Sequence, residues 1–304
     1  MKDSGMKMKA VVERFPYVAN AYCRALAAKS PAFAKQVMPD VREIAPDGFE
    51  SADPFGEMGD GAASTGCPGL VQRFEDRVLV MASDSCFMNC RHCTRKHILK
   101  SVPVVRTDED LAQAVAYVHS HPKVRDVLVS GGDPLVLPDD EVMRFIDSFA
   151  TLEQIDVVRL CTRAPCTNPM RLTPGLVSRL AESKKVWLNT QFNHPDELTA
   201  EAVAACSRLV DAGIPVSCQT VLLAGVNDDV ETLLELFRSL QRARVRPYYV
   251  FQCDPIPGID HFRVPIERAQ ELSACCAERI GGLALPRFVV DIPGELRKMP
   301  VELF

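Results

Sequence analysis

From Arg77 to Asp291 the chain repeats one pattern, a short run of β-branched and other apolar residues followed by a longer amphipathic stretch. Units of strand and helix read this way, because the strands of a parallel sheet are covered on their faces and need a helical crossover between neighbours. The spacing predicts strands over residues 78–82, 126–130, 156–161, 186–191, 216–222, 246–251 and 287–291. Thr107 opens an intervening helix with Asp110 three residues on, and Leu111, Ala114, Val115 and Val118 fall on one face of it. A second helix starts near Thr199 and stops at Gly213-Ile214-Pro215. Leu233, Leu236, Phe237 and Leu240 form the apolar stripe of a third, and residues 265–280 supply a last one. An α/β fold on a parallel sheet follows.

The first seventy residues have another character. Residues 18–38 read as helix, and residues 39–69 are rich in Gly, Pro and Asp and read as an extended connector. The division expected is therefore 1–70 as an N-terminal helical extension and connector, and 71–304 as the barrel with its C-terminal segment. A chain of 304 residues with 47% hydrophobic and 25% charged residues has the composition of one globular unit of this kind. The net charge of -5 and a pI near 5.8 argue against a general nucleic-acid binder. No apolar run is long enough to span a membrane, and the start MKDSGMKMKA has no apolar signal core. The twelve cysteines are thus expected in a reducing cytoplasm rather than in disulfides.

Parallel barrels of this type carry their reactive groups at the carboxyl ends of the strands. Residues there include Cys86, Cys90 and Cys93 after the first strand, Gly131-Gly132-Asp133-Pro134 after the second, Arg163 after the third and Asn193-His194 after the fourth. Gln219 lies within the fifth strand, Asp254 follows the sixth and Asp291 ends the last. The cysteines have C-x3-C-x2-C spacing, and the Asn89, Arg91 and His92 between them are poor composition for three inert core thiols. A structural zinc would need a fourth ligand at comparable spacing, for which only His92 is near. A cluster with one open iron suits three cysteines better.

The loop Ser83 to Lys96, SDSCFMNCRHCTRK, resembles the cluster loop of radical S-adenosylmethionine (SAM) enzymes, and CRHCTR from Cys90 to Arg95 resembles the lysine 2,3-aminomutase family. The resemblance implies a partial (β/α)6-type radical SAM barrel with a four-iron four-sulfur cluster on Cys86, Cys90 and Cys93. It places Gly131, Gly132 and Asp133 at the SAM amino group, and Gln219 and His92 among the cofactor contacts. Lys298, seven residues after Asp291, matches the lysine that holds pyridoxal phosphate (PLP), and Arg77 matches the arginine at the PLP phosphate. Phe74 stands where the mutases often have tyrosine, and Gln191 where histidine is common. Arg95 takes the place of the arginine that binds the substrate α-carboxylate, while Asp254 and Asp291 resemble the two aspartates that bind a lysine ammonium. Two carboxylates converging on one cavity would repel without a cation between them, so the pair by itself points to a basic substrate.

The implied activity is a 2,3-amino shift on a basic amino acid, first of all L-lysine to β-lysine, with Lys298 as the catalytic lysine. An electron donor such as flavodoxin or ferredoxin reduces the cluster, which with SAM generates the radical that starts the shift. Gly294-Glu295-Leu296-Arg297 replaces the glycine run of the free-lysine mutases and resembles relatives that convert a lysine on elongation factor P, so a protein-bound lysine is an alternative substrate. Arginine and ornithine are others. The chain stops at Phe304, before the oligomerisation segment of the free-lysine mutases, which leaves a homodimer as an option to their tetramer. A non-enzymatic iron–sulfur carrier would need the cysteines but not Asp254, Asp291 or Lys298.

Overall fold

The computed structural model describes residues 2–46, 48–49, 51–59, 61–99 and 106–304. Nine strands form one sheet in sequential order among them: β1 (Leu70–Phe74), β2 (Arg77–Ser83), β3 (Asp126–Gly131), β4 (Val157–Cys161), β5 (Val186–Gln191), β6 (Val216–Leu222), β7 (Arg246–Gln252), β8 (Arg287–Val290) and β9 (Met299–Pro300). Strands β2 to β8 run parallel, while β1 and β9 pair antiparallel at the two edges. The described helices are α1 (Lys2–Arg14), α2 (Ala21–Ala27), α3 (Pro31–Val37), α4 (Asp108–Ser120), α5 (Asp139–Ala150), α6 (Ala164–Thr167), α7 (Pro174–Glu182), α8 (Ala200–Asp211), α9 (Val230–Arg242) and α10 (Ile266–Arg279). Each step from β2 to β8 carries a helical crossover, which makes six βα units and a seventh strand.

The strand periodicity explains the cavity inside. Val127 and Val129 of β3, Val158 and Leu160 of β4 and Cys218 of β6 are buried on the face that meets the helices. The alternate residues, Ser130, Arg159, Ser217 and Gln219 among them, face the interior. A packed barrel would fill that side with branched apolar residues; this one sets polar groups among apolar ones such as Leu128, Val157 and Val221. The helices close the outer layer: α9 buries Leu233, Leu234, Leu236, Phe237 and Leu240, at about 1.5 to 3 kcal/mol for each large side chain. The capping box at α4 is present, with Thr107 Oγ1 accepting from Asp110 N and Asp110 Oδ2 accepting from Thr107 N.

The single helix expected over residues 18–38 is two helices. Ser30 accepts from Phe33 N and Pro31 occupies the first turn of α3, so the chain ends one helix and begins another there. Residues 2–14 form a helix not expected from the sequence, and the edge strands are not expected from it either, β9 with only two residues and β1 with a burial pattern that does not alternate. Within residues 39–69 the described backbone holds one short 3-10 turn, Val41–Ile44. Cys23, Leu26, Phe33 and Val37 of the extension belong to the same apolar core as β2 to β8.

Candidate active site

A cavity of about 1040 Å³ runs through the curved sheet, lined by residues of every parallel strand from β2 to β8. Cys86, Cys90, Cys93, His92, Arg95, Gly131, Gly132, Asp133, Gln219, Arg77, Asp254, Asp291 and Lys298 line it, whereas Pro134, Asn193 and His194, also expected at strand ends, do not.

The cysteine loop leaves β2 and is clamped from outside. Arg91, between Cys90 and Cys93, points away from the thiols into a buried site where its Nε donates to Glu43 Oε1 (2.9 Å). Lys96 Nζ donates to Glu43 Oε2 (2.8 Å), to the Arg91 carbonyl (3.0 Å) and to the Gly258 carbonyl (3.0 Å). Burial pulls Lys96 down to about 8 despite Glu43. Burial raises the Cys86 thiol, with Asp133 and the other two thiols adding, and pushes Cys93 up to about 11, with Cys90 adding. Cys86 and Cys93 so placed resist ionisation unless positive charge stands beside them, which is what iron supplies. Among the described residues no three His, Cys, Asp or Glu side chains stand so as to hold one metal ion. A cluster, with several irons between its sulfurs, sets thiolates further apart than a single ion does.

His92 is buried, with Gln191 Nε2 and Asn193 Nδ2 at 3.1 and 3.3 Å from its Nε2 and, among the described residues, no partner on Nδ1. Gln191 thereby meets the cysteine loop directly. Gln219 Oε1 accepts from the Tyr248 hydroxyl (3.2 Å).

Gly131 has φ +123, and a Cβ there would strike the Ser83 carbonyl; at Gly132 it would strike the Ser85 carbonyl. The glycines are thus required first by the close approach of β3 to the cysteine loop. Asp133 is fully engaged by the protein: Oδ1 accepts from Thr162 Oγ1 (2.7 Å) and Leu135 N (2.9 Å), and Oδ2 from Arg163 N (2.9 Å). It ties the end of β3 to the end of β4.

The remaining charges line the same cavity, Arg95 and Asp254 against the cysteine loop and Asp291 with Lys298 beyond them. Arg95 is held by Glu57, with Nε donating to Oε2 (2.8 Å) and Nη2 to Oε1 (2.9 Å), so it is no solvated surface arginine. Asp291 lies between two cations: Arg73 makes a two-point contact (2.8 and 3.1 Å) and Lys298 Nζ contacts Oδ2. Burial would raise Asp291, but Arg73 and Lys298 outweigh it and hold the carboxyl below its ordinary value. Burial likewise lowers Lys298, with Asp291 opposing. Asp254 has no ion pair with a described residue; Oδ2 accepts from Thr94 Oγ1 (2.7 Å). Burial pushes it up to about 6, Thr94 opposing and Asp291 adding. The two aspartates were read as an equivalent pair, and their surroundings make them opposites. Arg77 sits over the Phe74 ring at 3.8 Å and pairs with Asp76 (2.7 Å).

Sequence reasoning missed Arg73, Glu57 and Thr94, and it recognised Arg163 only by its place at a strand end. Arg73 would have followed from seeing 70–74 and 77–83 as a hairpin, since its tight turn pairs Phe74 with Arg77 and brings β1 to the same cavity.

A model of the radical SAM superfamily matches residues 80–237. The L-lysine 2,3-aminomutase of Acetoanaerobium sticklandii is 42% identical over 267 residues, which is 88% of this chain and 64% of that protein, so the chain spans under two thirds of that relative's length. A putative L-lysine 2,3-aminomutase of Treponema pallidum is 38% identical over 286 residues, 94% of this chain and 79% of that one. In overall shape the chain resembles a radical SAM methyltransferase from Sphaerobacter thermophilus, with a TM-score of 0.56 at 19% identity over 75% of this chain and 69% of that chain.

Proposed function

Because the chain belongs to the radical SAM superfamily, and within it to the family of the L-lysine 2,3-aminomutases, we propose that it moves the α-amino group of a basic amino acid to the neighbouring carbon, L-lysine to β-lysine first of all. The observation that carries this reading is Asp254, a half-buried carboxylate with no ion pair to a described residue, in one cavity with Arg95 and Lys298. A cation brought by the substrate would supply the missing partner.

The residues present fit the cofactors this activity needs. Cys86, Cys90 and Cys93 are the sulfur ligands of a four-iron cluster, and the Gly131-Gly132 backbone faces the same cavity, where SAM would lie with Gln219 and His92. Lys298 would hold PLP, with Arg77 toward its phosphate; burial lowers the lysine while its ion pair with Asp291 opposes that shift. When bound, cluster and SAM supply a carbon radical able to take a substrate hydrogen, and PLP carries the migrating nitrogen.

The chain's own groups then bind, orient and exclude water. Glu57 occupies the Nε and Nη2 donors of Arg95 and leaves Nη1 for the substrate α-carboxylate. Asp254 takes the distant ammonium, while Asp291 steadies Arg73 and Lys298 at the cofactor. An external one-electron donor of the flavodoxin or ferredoxin class completes the system, and no described helix is long and apolar enough to cross a membrane, in keeping with a cytoplasmic enzyme.

Reconstituted, reduced protein should convert lysine when given SAM and PLP, with arginine and ornithine slower and with alanine and glutamate poor. Leaving a buried cation or carboxylate unpaired costs about 3 to 5 kcal/mol, so Asp254→Asn should lower lysine turnover at limiting substrate by a factor of hundreds. Equal use of lysine and alanine by the unaltered protein would refute the basic-substrate reading.

A further inference from the structure

Arg163, just after β4, reaches the cysteine loop from outside the motif. Its Nη1 donates to Cys90 Sγ at 3.0 Å, and its Nη2 donates to Gln36 Oε1 (2.7 Å) and Glu197 Oε2 (3.0 Å). Gln36, from α3 in the N-terminal extension, also donates through Nε2 to Glu197 Oε1 (2.6 Å) and accepts from Asn193 Nδ2 (2.9 Å). Asn193 N in turn donates to Glu197 Oε2 (3.1 Å). Gln36 and Glu197 are fully buried and Arg163 is 8% exposed, so this guanidinium has one orientation available and little water around it.

We propose that Arg163, oriented by Gln36 and Glu197, sets the electron affinity of the cluster bound through Cys90. A hydrogen bond from a cation to a ligating sulfur draws charge from the iron and stabilises the added electron, which raises the reduction potential. Glu197 offsets the net charge of Arg163, so the directed N–H to sulfur is what remains. Gln36 changes no charge, and its part is to hold that N–H on the sulfur. The N-terminal extension thereby acts on the redox centre through 127 residues of sequence separation. This inference rests on the cluster reading above.

The test is a dithionite titration of anaerobically reconstituted protein without SAM, followed by the paramagnetic resonance of the reduced cluster, with iron counted per chain. Arg163→Met should make the cluster harder to reduce by at least tenfold in the reduction constant, which is 59 mV for one electron. Arg163→Lys and Gln36→Leu should move it the same way by less. The double variant Arg163→Met with Glu197→Gln removes the buried pair together and should still lie below the unaltered protein. Should Arg163→Met fail to retain iron, Gln36→Leu, which preserves every charge, decides the matter. Wild-type potentials in Gln36→Leu and in the double variant, at full iron content, would overturn the proposal and leave Arg163 a packing residue. If the unaltered protein takes up no cluster, the cluster reading fails and the inference with it; a loaded protein with unmoved variants sinks the inference alone.

Discussion

The charges packed behind the cysteine loop and those at the lysine end of the cavity are held in different ways. At the cysteine loop the ions are sealed: Glu43, Arg91 and Lys96 keep 0%, 1% and 4% of their surface exposed. At the lysine end the side chains of Asp291, Arg73 and Lys298 keep 11%, 16% and 17%, and Leu296 in the same loop is 82% exposed. A sealed ion network cannot change partners without stranding a charge in low dielectric. A partly wet one can, since water stabilises each ion while it moves. The difference suits a loop that must hold a fixed redox centre against a lysine that must bond to a cofactor and let go.

The sharpest test of that separation is the pair Cys90→Ala and Lys298→Ala. The first should abolish cluster binding, with iron per chain falling to background, yet leave borohydride able to fix PLP on the peptide that contains Lys298. The second should do the reverse. Loss of both cofactors in either variant would mean that the two ends are one cooperative unit.

Next in size is Glu43→Gln, which strands Arg91 and Lys96 without a counter-charge and should cost the cofactor-free protein about 3 to 5 kcal/mol in denaturant unfolding. A cost below about 1 kcal/mol would show that the loop opens to water.

Asp254→Asn should have the opposite sign. The folded protein raises this carboxyl from 3.8 to about 6, so the stability it contributes is complete below the unfolded value and is lost as pH rises through about 6. The difference corresponds to roughly 3 kcal/mol at about 1.36 kcal/mol per pH unit, so removing the charge should stabilise the cofactor-free protein by up to that amount at pH 8 and by little below pH 4. A loss of stability at pH 8 would mean that Asp254 is paired after all.

The smallest effect belongs to Asp291→Asn. Its carboxyl is lowered by Arg73 and Lys298, so its stabilisation is present above the usual carboxylate range and vanishes as pH falls through its folded value. With partial exposure the cost near pH 7 should be about 2 kcal/mol, between the surface and the buried limits. A cost as large as that of Glu43→Gln would erase the contrast between the ends.

Much of this was legible in the chain itself. The helix starts at Thr107 and Thr199, the stop at Gly213 and the strands at 186–191 and 216–222 follow from neighbours within a few residues, and local sterics and hydrogen bonds decide them. The edge strands were not legible, because β9 has two residues and so no period, and β1 does not alternate. The helix expected over 18–38 failed where apolar spacing continued through a Ser-Pro pair that starts a new helix.

What the sequence determined by itself is which residues sit at the mouths of the strands, since βα alternation sends the end of each parallel strand to one side. What only the tertiary structure decided is which charge each of them meets. Arg73 reaches Asp291 across 218 residues, Thr94 reaches Asp254 across 160 and Gln36 reaches Arg163 across 127. Pairing of that range depends on how strongly the sheet curves and where the N-terminal extension packs. Two aspartates that look alike at the ends of two strands therefore shift in opposite directions, because burial outweighs the unpaired pull of Arg73 and Lys298 on one and the same two cations at hydrogen-bonding distance lower the other.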